Sequence, residues 1–76
     1  MTNLTANQAD AMQALSNYVG RTVQVATSHY DANVAASFQP VAYANSAALR
    51  GLERKGFIRI ERAYWKGADV TVLRAE

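Results

Sequence analysis

Six of the chain's eight arginines and lysines fall between positions 50 and 66: Arg50, Arg54, Lys55, Arg59, Arg62 and Lys66. Only Glu53 and Glu61 oppose them there, and before Arg50 the sole arginine or lysine is Arg21. A net charge of +2 therefore conceals a local basic block, the footprint of one sticky face rather than of a uniformly cationic protein. Tyr64 and Trp65 interleave with it. This combination suits phosphate and bases. The arginine fork binds guanine O6 and N7 together, or two phosphate oxygens, and an aromatic ring can stack on a base or wedge into a groove. Charge runs are more often solvated surface, but the elements around this one favour binding.

Other chemistry finds less support. The chain has no cysteine, which excludes disulfides, thiolate zinc sites and cysteine nucleophiles. His29 has no second histidine with which to share a metal. Ser28-His29-Tyr30-Asp31 holds serine, histidine and aspartate, but neighbours in sequence do not make a triad. The carboxylates Asp10, Asp31, Glu53, Glu61, Asp69 and Glu76 are scattered, and no Gly-rich phosphate loop exists. The expectation is a binding protein with no catalytic residues, no metal and no cofactor. No signal peptide or membrane-length apolar run is apparent, so a cytoplasmic setting is expected.

The elements that position the basic block can be read from spacing. The 76 residues make one domain, and a chain this short buries only about 60% of its unfolded surface. Thr5 and Gln8 form a capping box, and Met12, Leu15 and Val19 recur at helical spacing before Gly20. These predict a first helix at roughly 5–19. Thr22 to Thr27 alternates as a short strand. Asp31 caps a short helix over 32–38, which Pro40 terminates. A third helix is predicted at about 41–55. Its inner stripe is Val41, Ala44 or Asn45, Ala48, Leu49 and Leu52; Tyr43, Ala47, Arg50 and Arg54 share the opposite face. Gly51 weakens it by about 1 kcal/mol relative to alanine, and Gly56 stops it. Residues 57–62 and 69–74 pair as a hairpin. With Ile60 opposite Val72, the residues Ile58, Ile60, Val70 and Val72 share one face. The connection over 63–68 reads as longer than a tight turn.

Helix, strand, helix, helix, strand, wing, strand is the order of an α+β winged helix-turn-helix. The segment Ala48-Leu49-Arg50-Gly51-Leu52-Glu53-Arg54-Lys55-Gly56-Phe57-Ile58 resembles the Ala-Leu-x-x-Leu-Glu-x-Lys-Gly-x-Ile signature ending the recognition helix of many bacterial and phage winged-helix regulators. Leu4-Thr5-x-x-Gln8 is similar to the start of the first helix in that family. The resemblance covers nearly the whole chain. It implies a small transcriptional regulator that binds duplex DNA with a recognition helix at about 41–55 and a wing at about 62–68. Carried over by position, Tyr43, Ser46, Ala47 and Arg50 face bases or nearby phosphates, and Arg54 lies nearer the backbone. Arg59, Arg62 and Lys66 line the wing, with Tyr64 and Trp65 at its tip. Ser37 and Gln39 in the turn reach phosphate. A lone module this small has little interface, which points to a homodimer on paired half-sites.

The sequence also departs from that pattern. The third helix opens Val41-Ala42-Tyr43-Ala44, where the family has polar residues, and Asn45 on the inner stripe needs a buried partner. Few groups remain for reading bases directly. The alternative is a protein-interaction module on the same fold, such as a phage-encoded inhibitor or adaptor of a host nucleic-acid machine, docking through the third helix or the aromatic wing. RNA in place of DNA fits the same features.

Overall fold

The computed structural model describes residues 4–28 and 39–75. The capping box forms as its spacing predicts. Thr5 Oγ1 accepts from the Gln8 N–H at 3.2 Å, and Gln8 Oε1 accepts from the Thr5 N–H at 3.0 Å. Helix α1 then runs Ala6–Leu15, stopping short of 19. The chain tightens into a 3-10 turn at Ser16–Tyr18, in which side chains three apart eclipse. Tyr18 therefore follows Leu15 onto the core, and Val19, expected inward, is 46% exposed.

Four strands form one mixed sheet: β1 at Thr22–Ala26, β2 at Ala42–Tyr43, β3 at Ile58–Tyr64 and β4 at Gly67–Val72. Their order across the sheet is β2-β1-β4-β3. β1 pairs antiparallel with β4 and parallel with β2. Helix α2 spans Ser46–Arg54. The molecule is α+β, but it does not have the winged helix-turn-helix order. The described residues hold two α-helices where that order requires three, and a strand stands where the recognition helix was expected to begin. The short helix expected over 32–38 lies outside the described residues.

Hydrogen bonding explains the late start of α2. The Val41 N–H donates to Gln24 O at 2.9 Å and the Ala44 N–H to Ala26 O at 2.8 Å. The backbone of this stretch is thus satisfied by β1, a non-local partner invisible to helical periodicity. Asn45 then begins the helix as its N-cap, with extended backbone, its Oδ1 accepting from the Ala48 N–H at 2.7 Å. Its expected place on the inner stripe is corrected accordingly.

The hairpin forms with a different register. Ile58 lies opposite Val72 and Ile60 opposite Val70; a bulge follows, and Arg62 lies opposite Asp69. A slip of two residues preserves facing, so the four expected apolar residues still share one side. The anticipated loop shrinks to Trp65–Lys66 beyond the pair Tyr64–Gly67, with Lys66 at a φ of +66°. Both helices pack on the same side of the sheet. Met12 and Leu15 from α1 and Leu49 and Leu52 from α2 meet Val25, Phe57, Ile58, Val70 and Val72, all buried. The alternation that buries Val72 turns Leu73 outward, so this expected core residue is exposed.

One buried polar side chain clamps the two helices together. Gln8 is 6% exposed, and its Oε1 also accepts from Lys55 Nζ at 2.8 Å. A Cβ on Gly51 would stand 2.1 Å from Gln8 Nε2. Gly51 is therefore a site of close approach between the helices. At the same C-terminal end of α2, Arg74 donates to Lys55 O at 2.9 Å and stacks 4.3 Å from the centre of the Phe57 ring.

Candidate nucleic-acid interface

α2 buries Ala48, Leu49 and Leu52. At about 100° per residue, Ala47, Arg50 and Arg54 occupy its opposite side, and all three are exposed. Ser46, Leu49, Arg50 and Glu53 also form one wall of a groove of about 380 Å³. The facing wall belongs to the hairpin, with Ile60, Ala63, Gly67 and Ala68, and Thr27 joins the lining. Glu53 ties the walls together, its Oε2 accepting from the Ile60 N–H at 2.8 Å. That bond also satisfies an amide on the outer edge of β3, an edge strand that would otherwise invite pairing. Among the described residues, Arg59–Glu61 is the one ion pair. Arg50 and Arg54 thus face solvent with no carboxylate partner among those residues.

The hairpin tip lies at the end of this groove, because Gly67 both lines the groove and follows the turn. Trp65 is 75% exposed, and Lys66 Nζ lies 4.3 Å from the centre of its ring. A cation over an indole is attracted by the negative face of the ring. The tip therefore presents an aromatic plane and an ammonium together.

Other expected contact residues are elsewhere. Arg59 lies opposite Thr71, on the sheet face turned away from the helices. There Glu61 accepts from Arg59 and from Thr71 Oγ1, and Thr71 shares a 2.8 Å hydrogen bond with Thr22. The bonds from Arg59 and then Thr71 hold the Glu61 carboxyl below its ordinary pKa. Arg62 shares that face, 5.2 Å from the centre of the Tyr64 ring. The Tyr64 hydroxyl donates to Asp69 at 3.1 Å; burial first, and then Asp69, raise its pKa above the ordinary value. Tyr43 belongs to β2, separated from β3 by β1 and β4. Gln39 lies just before that strand, its N–H donating to Gln24 Oε1 at 2.9 Å.

The nine expected contact residues thus divide. Ser46 and Arg50 line the groove; Arg54 follows one turn on along α2, and Trp65 and Lys66 form the hairpin turn next to Gly67. Arg59 and Arg62 lie on the far face of the sheet, and Gln39 and Tyr43 at its other edge. Ser37 is outside the described residues. Thr27 and Glu53 of the groove were not legible in sequence, since only the tertiary fold brings them to β3 and β4. No family model matches the chain, and no curated protein and no solved structure matches it either.

No helix among the described residues is long and apolar enough to cross a membrane.

Proposed function

We propose that this protein binds duplex DNA through the end of the molecule where α2 and the β3–β4 hairpin flank the groove. The observation that carries the reading is the pair Arg50 and Arg54, exposed on one side of α2 with no carboxylate partner among the described residues. Their fixed spacing matches a role in gripping successive phosphates, with Ser46 able to donate a further hydrogen bond. Lys66 at the tip supplies a third cation. On this reading the protein is a small cytoplasmic regulator acting without a cofactor, paired as a homodimer because one copy offers little interface.

The structure changes the expected electrostatics. About five of the six cations of the basic block meeting phosphates would give a slope of log K against log salt near −4 to −5. Arg59 and Arg62 lie on the other face of the sheet and Lys55 Nζ is bound to Gln8, which leaves Arg50, Arg54 and Lys66 and a slope of about −2.7 per bound copy. Fluorescence anisotropy with a labelled duplex between low and moderate salt measures it. A flat response, or no binding at low salt, contradicts the proposal.

The apolar floor of the groove, formed by Leu49, Ile60, Ala63 and Ala68, favours a second reading, in which a protein partner inserts a side chain there. A stoichiometric partner retained after nuclease treatment, together with no affinity for DNA at low salt, would shift the assignment to that reading.

A further inference from the structure

We infer that Trp65 acts as a wedge, and that the preferred target is a duplex containing an unpaired or weakly stacked base. The inference rests on the duplex reading above, and the experiment below separates the two.

Three features of the tip converge. First, Trp65 is the chain's one tryptophan, and at 75% it is more exposed than Val19, Tyr43 or Leu73, the other large apolar residues left in solvent among the described residues. In a domain with so small a core, the largest ring does not fold back to enlarge it. Second, the ring is carried on a slim stem. The turn is two residues long, and behind it the inward pair Ala63–Ala68 and the residue Gly67 are small. Tyr64, which pairs with Gly67, turns to the other face of the hairpin, where its hydroxyl donates to Asp69, so on the helix side no bulky neighbour stands behind the tip. Third, Lys66 adopts a φ of +66°, a left-handed conformation usually left to glycine or asparagine. The two-residue hairpin turn demands a positive φ here, and it places an ammonium 4.3 Å from the indole, where it can move to the phosphate beside an inserted ring.

Magnitudes decide the target. A base stacked on an aromatic side chain gains roughly tenfold in affinity or somewhat more. Opening an intact base step costs a comparable amount, so on uninterrupted duplex the wedge is nearly neutral. Where a base is already unpaired, little is lost by opening the stack and the gain is realised. The expected preference is therefore roughly tenfold for a duplex with one unpaired base over the same duplex without it.

Because Trp65 is the sole tryptophan, its emission reports the contact without a label. The test titrates the full chain with an intact duplex, the same duplex carrying one extra adenine, and the unpaired strand alone, following tryptophan emission and the anisotropy of labelled DNA. The expected result is strong quenching and roughly tenfold tighter binding on the bulged duplex. Trp65→Ala should lose that preference, the bulged and intact duplexes being bound equally, with an unchanged thermal midpoint because the ring is exposed. Equal affinity for both duplexes with unquenched emission overturns the wedge while leaving duplex binding in place. Tightest binding to the unpaired strand overturns it in favour of strand stacking. No binding to any of the three removes the duplex reading and the wedge with it.

Discussion

Gly51→Ala should destabilise this protein, although alanine exceeds glycine in helix propensity by about 1 kcal/mol. Gly51 lies within α2, so local preference alone predicts a stabilised variant. The structure reverses the sign. The added Cβ would stand 2.1 Å from Gln8 Nε2 and 3.3 Å from Gln8 Cδ, so the amide must leave its buried position. Moving it breaks the bond from the Thr5 N–H, one half of the capping box, and the bond from Lys55 Nζ. Each contributes about 1 kcal/mol, the second discounted because Lys55 is exposed. Together with poorer packing, the losses exceed the propensity gain by up to about 1 kcal/mol. The thermal midpoint should fall by up to roughly 8 °C, given about 4–8 °C per kcal/mol for a domain of this size. A double-mutant cycle sharpens the test. In a Gln8→Ala background the clash is absent, and Gly51→Ala should then stabilise by about 1 kcal/mol. A raised midpoint for Gly51→Ala in the native chain, or additivity of the two changes, would rule out the clash with Gln8.

Two further expectations concern the elements that support the proposed interface. Asn45→Ala removes the Oδ1 acceptor for the Ala48 N–H and should cost about 1 kcal/mol in a denaturant titration, whereas Asn45→Asp or Asn45→Ser should be close to neutral. Glu61 should titrate below 4.5, its ordinary value, because Arg59 and then Thr71 bind its charged form. A depressed folded pKa gives stability that is present above the unfolded value and is lost as pH falls through the folded one, so the contact with Arg59 should persist at pH 4.5 and break below it. A carbon-detected NMR titration reads the midpoint directly, and Arg59→Ala should move it upward.

The parts of this fold that were legible in sequence are those fixed by local chemistry. Thr5 and Gln8 specify the start of α1 through three-residue spacing, and Gly20 and Gly56 occupy left-handed positions at +84° and +85°, as helix-ending glycines do. Ile58, Ile60, Val70 and Val72 alternate as strand residues that bury one face. What was misread depends on partners distant in sequence. Val41 to Ala44 continues the apolar spacing of the following helix, yet its amides belong to β1. Asn45 is the better boundary marker, since a short amide side chain serves as a cap more readily than as a core residue. The bulge at Arg62 changes the register without disturbing the apolar alternation, so no pattern announces it. The basic block appeared as one face because its residues are close in sequence. The strand period sends Arg59 to the side of the sheet away from α2, and the bulge sends Arg62 there too, while Arg50 and Arg54 remain with the helix layer.

That division into two faces is the part of the account most directly open to measurement. The double variant Arg50→Ala/Arg54→Ala and the double variant Arg59→Ala/Arg62→Ala remove the same charge from the chain. Salt-dependent anisotropy on one duplex, with both variants and the native chain, compares them. Losing two phosphate contacts reduces the magnitude of the slope by about 1.8. That reduction is expected for Arg50→Ala/Arg54→Ala, and a native slope for Arg59→Ala/Arg62→Ala. A native slope for the first variant and a reduced one for the second would place the binding face on the opposite side of the sheet and contradict it.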